Sequence, residues 1–149
     1  MTNDTEPTND PATGSALTPC AGVLLVERDK VLLARRHPDR DWYPNVWDVI
    51  GGHRRRNETA STAACREAHE EVGVSIDEDT LVHIATLTGA DYELELFATT
   101  TWTGEPRNCA PEEHIELAWF KPSDTAELAL ADRAITHLAT TAIARTTRS

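Results

Sequence analysis

Three glutamates in one short segment restrict the fold of this chain more than any other feature. Glu67, Glu70 and Glu71 have the i, i+3, i+4 spacing that places side chains on one face of an α-helix. Carboxylates held about 5 Å apart on that face repel by about 3 kcal/mol per pair at an effective dielectric near 20. A hard divalent cation, which prefers oxygen ligands, would relieve that repulsion. The alternative is a solvated helix face, since glutamate is a good helix former.

The residues on either side of the glutamates favour a binding site over a solvated face. An apolar, strand-like run at residues 47–50 leads directly into Gly51 and Gly52. A loop with its own acid, Glu58, follows, and Gly73 stands where a C-cap glycine would end the helix. This order of strand, glycines, loop and helix predicts that the acids lie beside a sheet edge.

The segment from Gly52 to Val74 resembles the Nudix box. It reads Gly-x5-Glu-x7-Arg-Glu-apolar-x-Glu-Glu-x-Gly-apolar, with every defining position filled, and the resemblance extends over about residues 20–145. The resemblance implies an α+β fold, an α/β/α sandwich with a mixed β-sheet between helices. It also implies an enzyme that hydrolyses a diphosphate linkage in a nucleoside diphosphate derivative. The order of strands and helices indicates the same fold class independently.

The resemblance further implies a metal site for Mg²⁺ or Mn²⁺. Its ligands would be Glu67, Glu70 and Glu71, with the carbonyl oxygen of Gly51 completing the shell. Glu67 and Glu70 are also candidate catalytic groups, because a glutamate of the box serves as general base in some family members.

Two further sets of residues are assigned to the site by resemblance. Glu58 and Arg66 resemble the family's supporting ion pair, which fixes the loop against the helix, and we count them among the candidate catalytic residues. A further carboxylate, which either binds metal or acts as the general base, is expected from the region after residue 102. The acids in this region are Glu105, Glu112, Glu113 and Glu116. Glu105, in Trp-Thr-Gly-Glu-Pro, resembles the loop acid of MutT-type enzymes, whereas Glu112 and Glu113 match the loop acid of other members. The choice stays open between Glu105 and Glu113.

The sequence departs from the family pattern just before Glu58. Many family members carry an apolar residue, an acid, proline and glycine there, but this chain has Arg54, Arg55, Arg56 and Asn57. Asparagine tolerates the left-handed backbone conformation that a glycine would supply, so we expect the turn to survive. The arginines are either phosphate contacts or a solvated run.

The remaining candidates concern substrate binding. His53 follows the glycines and could contact phosphate, and Tyr92 is similar to a tyrosine of enzymes that act on diadenosine polyphosphates, although a core role fits it as well. Tryptophans near the box could stack on a base. The full set of candidate substrate contacts is Arg35, Trp47, His53, Arg54 and Tyr92.

We expect a (deoxy)nucleoside triphosphate as substrate, with oxidised nucleotides among the candidates. Dinucleoside polyphosphates or nucleotide sugars are the alternative, and a non-catalytic nucleotide sensor is the alternative of another class. A net charge of −11 argues against a nucleic-acid polymer as partner. No apolar run is long enough to cross a bilayer, no secretory signal is recognisable, and three cysteines suggest reduced thiols, so we expect a cytoplasmic protein. Monomer and homodimer both remain open.

Residues 1–19 are predicted to be a disordered tail, followed by one domain over residues 20–149. The apolar pattern predicts a hairpin from residues 21–27 and 31–36, and further strands at 46–50, 81–88, 92–102 and 116–120. Helices are predicted at 59–72, at 124–128 with Ser123 as N-cap, and at 132–145.

Overall fold

The computed structural model describes residues 17–147. Most of the predicted disordered tail, residues 1–16, lies outside the described residues. Thr18 and Pro19 already belong to the first strand, where they pair with Tyr92 and Glu93. The folded domain therefore begins at least two residues before the predicted boundary at residue 20.

The strands and helices follow the predicted order. The strands are β1 (Thr18–Glu27), β2 (Lys30–Arg36), β3 (Trp47–Asp48), β4 (Ile50–His53), β5 (Val82–Thr88), β6 (Tyr92–Thr99) and β7 (His114–Phe120). The helices are α1 (Ala60–Val72), α2 (Pro122–Thr125) and α3 (Ile135–Thr146), with a 3₁₀ turn at Glu78–Thr80. No helix within residues 17–147 is long and apolar enough to cross a bilayer.

The sheet is mixed and centres on β1. One edge of β1 pairs in parallel with β6, which pairs antiparallel with β5. The other edge pairs antiparallel with β4 along its first half and with β2 at its end, which confirms the predicted β1–β2 hairpin. β2 in turn pairs antiparallel with β3 and β7.

The predicted continuous strand at residues 46–50 is wrong. Trp47 and Asp48 pair with β2, whereas Ile50–His53 pairs with β1, so the chain changes pairing partner at Val49. The break leaves Gly51 and Gly52 on β4, next to β1 and in contact with α1.

Several boundaries also differ from prediction. The strand that begins at Tyr92 ends at Thr99, whose hydroxyl accepts the N–H of Thr101 at 3.1 Å and turns the chain. The last helix starts at Ile135 and not at 132, because the carboxylate of Asp132 accepts the N–H of Ala134 at 2.9 Å in a turn of its own. Ser123 does not cap α2, which begins at Pro122 with its fixed φ.

Two apolar cores hold helices against opposite faces of the sheet. Ala21, Val23 and Leu25 of β1 pack in the core under α1, whereas Leu24 and Val26 pack in the core under α3. Successive strand residues point to opposite faces, so one strand serves both cores. The α/β/α sandwich is confirmed.

Helix α1 has well-defined ends and a narrow apolar face. The hydroxyl of Thr59 accepts the N–H of Thr62 at 3.1 Å, and Gly73 ends the helix with a φ of 75°, as predicted. Ala64 and Ala68 have no exposed surface. Such small side chains allow the helix to lie close to the sheet, which brings the neighbouring glutamates down to the sheet edge.

Replacing Ala64 with leucine should lower the free energy of unfolding by about 1–3 kcal/mol, because the added atoms have no space between α1 and the sheet. Urea denaturation measures this change. His69→Leu puts the same side chain on the exposed side of α1 and should alter stability by less than about 0.5 kcal/mol. Equal losses in both variants would contradict the close packing described here.

Candidate active site

Arg66 connects the loop, the sheet and the helix around the predicted site. Its guanidinium donates two hydrogen bonds to the carboxylate of Glu58, from Nε to Oε2 at 2.7 Å and from Nη2 to Oε1 at 2.9 Å. Nη2 also donates to the carbonyl oxygen of His53 on β4 at 3.1 Å. The hydrogen bonds from Arg66 are the main reason that the pKa of Glu58 lies below its usual range. This bidentate, little-exposed pair fixes the loop relative to α1.

The turn before Glu58 is kept despite its unusual sequence. Asn57 adopts a φ of 69°, which confirms the predicted left-handed conformation. The N–H of Arg55 donates to Oε1 of Glu58 at 2.8 Å, and Nε of Arg54 donates to the carbonyl oxygen of Glu58 at 2.8 Å. The loop is thus organised around the Glu58 carboxylate.

Glu67 and Glu71 form a buried carboxyl pair. Their residues are 8% and 5% exposed, and their side chains share a hydrogen bond. Burial is the first cause that raises the pKa of each group, and the neighbouring acids add to it. A hydrogen bond between two carboxyl groups needs a proton, so the pair as it stands holds charge poorly.

Glu70 is bound by two arginines and is more exposed than that pair. Its Oε1 lies 3.3 Å from Nη1 of Arg66, and its Oε2 lies 3.6 Å from Nη2 of Arg55. Within residues 17–147, no three His, Cys, Asp or Glu side chains converge closely enough to hold a metal ion. The three glutamates share a helix, but their carboxylates do not meet in this arrangement.

The residue types nevertheless fit a divalent cation. Two buried carboxyls that resist ionisation together would be neutralised by a cation between them, and their oxygen donors suit Mg²⁺ or Mn²⁺. A Cβ atom at Gly52 would lie 2.6 Å from Oε2 of Glu67, so only glycine leaves room for that carboxyl beside β4. Glu70 would have to leave Arg55 to join them.

A cavity of about 580 Å³ opens beside this cluster. It lies between β1, β4, β6 and the loop after β2, and its wall includes acids, arginines and aromatic rings. The predicted site residues that line it are Gly51, His53, Glu71, Tyr92 and Glu113.

Three predicted substrate contacts are absent from the cavity wall. Arg35 is engaged by Asn45 at 3.0 Å and Glu116 at 3.4 Å on the surface of β2. Trp47 packs edge-on against Phe120, with ring centroids 4.9 Å apart, as part of the core under α3. Arg54 is bound to the loop, as described above. Strand pairing positions Arg35 and Trp47 away from the cavity, and the hydrogen bond to Glu58 holds Arg54 in the loop.

The two candidate loop acids lie in different places. Glu113 lines the cavity, and its charge is among those that raise the pKa of Glu71. Oε1 of Glu113 lies 3.7 Å from Nη1 of Arg40. Glu105 is exposed outside the cavity wall, just after Gly104, which approaches Gly73 at the end of α1. Of the two acids, Glu113 is therefore the one that lies at the cavity.

The sequence argument missed several residues of the cavity. Arg36 donates to the carbonyl oxygens of Trp42 and Tyr43, each at 2.8 Å, and lies 3.5 Å from Asp48. Asp132 accepts a hydrogen bond from the hydroxyl of Tyr92 at 3.2 Å. Its carboxylate comes from the segment before α3, and no local pattern marks it. Tyr92 also meets the ring of Tyr43 edge-on, with centroids 6.3 Å apart.

A family model described as NUDIX domain matches residues 16–139, which is more than half of the chain. The chain belongs to the Nudix hydrolase family. Uncharacterized Nudix hydrolases of Listeria monocytogenes and Listeria innocua are 38% identical over 55 residues, 36% of this chain. That match spans only about a third (32%) of the length of those relatives.

Other Nudix relatives match over more of their length. An 8-oxo-dGTP diphosphatase of Proteus vulgaris is 31% identical over 87 residues, which cover 57% of this chain and 77% of the relative. A CTP pyrophosphohydrolase of Escherichia coli is 28% identical over 110 residues, which cover 72% of this chain and 78% of the relative.

Solved Nudix structures share the fold. A MutT Nudix hydrolase of Burkholderia pseudomallei superposes with a TM-score of 0.66 at 24% identity, covering 72% of this chain and 85% of that one. A Nudix hydrolase of Nitrosomonas europaea superposes with a TM-score of 0.71 at 19% identity, covering 88% of this chain and 91% of that one. At these identities the likeness concerns the architecture alone.

The raised pKa values of Glu67 and Glu71 predict that this Nudix protein, kept in EDTA, loses stability as pH rises from about 5 to about 8. Both carboxyls ionise near pH 4.3 in the unfolded chain but at higher pH when folded. The folded state therefore binds more protons in this window, and each rise in pH favours unfolding. Urea denaturation across the pH range measures the slope.

Glu71→Gln should reduce the loss of unfolding free energy over this window by more than about 1.4 kcal/mol, the equivalent of one pKa unit. Glu112→Gln, which alters an exposed carboxyl, is the matched control and should keep the wild-type slope. An unchanged slope in Glu71→Gln would show that burial does not hold a proton at this carboxyl.

Proposed function

We propose that this Nudix protein is a pyrophosphohydrolase that requires Mg²⁺ or Mn²⁺ and converts a (deoxy)nucleoside triphosphate into a monophosphate and pyrophosphate. The observation that carries the proposal is the buried Glu67–Glu71 pair beside the cavity. Two adjacent buried carboxyls favour a positive charge between them, and oxygen is the donor that hard divalent cations prefer.

The side chains around the cavity have different roles in the proposed reaction. Glu67 and Glu71 would hold the ion with the Gly51 carbonyl, and Glu70 would join them after leaving Arg55. When bound, the ion neutralises phosphate charge and lowers the pKa of a coordinated water. Arg66 keeps the loop and α1 in register through Glu58.

Glu113 is the carboxylate best placed to accept the proton of the attacking water. It lies on the cavity wall, and Arg40 holds its carboxylate from one side at 3.7 Å. The water oxygen attacks phosphorus, the anhydride P–O bond breaks, and pyrophosphate leaves. Arg36 and Arg40 place positive charge on the wall of an otherwise acidic protein, where it can attract a phosphorylated substrate.

A nucleoside triphosphate is favoured by the cavity and by the relatives. The volume of about 580 Å³ suits a small ligand, and Tyr43, Tyr92 and Asp132 offer aromatic surface and a hydrogen-bond acceptor to a base. The names of the Proteus and Escherichia coli relatives refer to 8-oxo-dGTP and CTP. Oxidised nucleotides therefore belong among the substrates to test.

Two other functions remain as alternatives. Tyr92 on the cavity wall keeps open a dinucleoside polyphosphate or nucleotide sugar as substrate. A non-catalytic nucleotide sensor is less well supported, because the box retains every glutamate that catalysis would need.

Glu70→Gln should lower turnover by at least about 100-fold while the protein stays folded, because one anionic ligand is lost from the site. Turnover is measured on a panel of nucleoside triphosphates, oxidised nucleotides, dinucleoside polyphosphates and nucleotide sugars with Mg²⁺ or Mn²⁺. Product identification separates release of pyrophosphate from the other cleavages. Near wild-type metal-dependent turnover in Glu70→Gln would refute the proposed site.

The two loop acids form a matched comparison. Glu113→Gln should lower kcat by about 10²-fold or more, since it removes a carboxylate at the cavity. Glu105→Gln makes the same chemical change outside the cavity and should leave kcat within about twofold. The reverse pattern would assign the loop acid to Glu105.

A further inference from the structure

His114 is a buried histidine that the proposed reaction leaves without a task. The residue is 3% exposed, and neither of its ring nitrogens has a hydrogen-bond partner among residues 17–147. A buried polar atom without a partner destabilises the folded state, and native proteins keep few of them. A buried imidazole without partners therefore suggests that the ring has a function.

The backbone fixes the position of this residue at the start of β7. The N–H of His114 donates to the carbonyl oxygen of Ala110 at 3.1 Å. Its carbonyl oxygen accepts a hydrogen bond from Nδ2 of Asn108 at 2.7 Å. Oδ1 of Asn108 also accepts the N–H of Ala110 at 3.0 Å, so one side chain closes the turn from both ends.

The same segment is bound to the last turn of α1. The N–H of Cys109 donates to the carbonyl oxygen of Glu71 at 2.8 Å, and that of Arg107 donates to the carbonyl oxygen of Val72 at 3.0 Å. These bonds set the distance between the imidazole and the glutamates. Nε2 of His114 lies 3.5 Å from Oε1 of Glu71, and both side chains are almost fully buried.

The imidazole is suited to donate a single hydrogen bond. A neutral imidazole carries one N–H donor, and Nε2 is the ring nitrogen that lies near the Glu71 carboxyl. Nε2 and Oε1 of Glu71 are 3.5 Å apart and do not form a hydrogen bond in this arrangement. A Glu71 carboxylate turned to hold a cation would be able to accept the N–H of the ring.

We propose that His114 is a positioning residue, which donates its Nε2–H to Oε1 of Glu71 and orients that carboxylate to bind a divalent cation. The inference rests on the proposed function. Imidazole nitrogen is a poor ligand for Mg²⁺, so direct coordination is the weaker role. A buried donor that fixes a ligating carboxylate typically changes metal affinity by about 10–100-fold.

The test is a titration with Mn²⁺ alone, without nucleotide, followed by electron paramagnetic resonance of the free ion. His114→Leu removes the donor and keeps an apolar volume, and it should weaken Mn²⁺ binding by about 10–100-fold. His114→Gln provides an amide N–H and should recover most of that loss. His83→Leu removes a histidine that lies 2.7 Å from Glu95 and outside the cavity wall, and it should bind Mn²⁺ like the wild type.

Each outcome decides the matter. Wild-type affinity in His114→Leu, or equal losses in the leucine and glutamine variants, would overturn the positioning role while leaving the metal site intact. If the leucine variant does not fold, as judged by circular dichroism, His114→Met takes its place in the same comparison. A wild-type protein that neither binds Mn²⁺ nor hydrolyses any nucleotide would overturn the proposed function together with this inference.

Discussion

The burial of the Glu67 and Glu71 carboxyls is the constraint around which the rest of this structure is arranged. An ionised carboxylate is poorly stabilised away from water, and two side by side repel each other. Small side chains allow α1 to pack closely against β1 and β4, which buries the two carboxyls. The absence of a side chain at Gly52 leaves space for the carboxyl of Glu67. The resulting cluster holds protons more tightly than exposed glutamates do.

Arg66 balances part of that negative charge and connects the surrounding elements. It holds Glu58 in the loop, the His53 carbonyl on β4, and the carboxylates of Glu67 and Glu70 on its own helix. A single guanidinium thus fixes three parts of the chain relative to one another. Its one positive charge is shared among three carboxyl groups, those of Glu58, Glu67 and Glu70.

Much of the fold follows from local pattern. The hairpin, the limits of α1 and the left-handed residue Asn57 depend on turn chemistry and helix spacing, which neighbouring residues express. The break between β3 and β4 at Val49 could not be predicted from local pattern, because it arises from a change of partner strand. Trp47 and Arg35 lie near the box in sequence, yet strand pairing turns them away from the cavity.

The sequence by itself determined the box, the helix that carries its glutamates and the family, because spacing along a helix fixes which side chains share a face. Only the tertiary structure decided which acids are buried, that Glu113 and not Glu105 lines the cavity together with Asp132, and that the ring of His114 lies 3.5 Å from Glu71. Those facts depend on contacts between segments far apart in the chain. Burial and electrostatic environment come from such contacts, and a local pattern does not encode them.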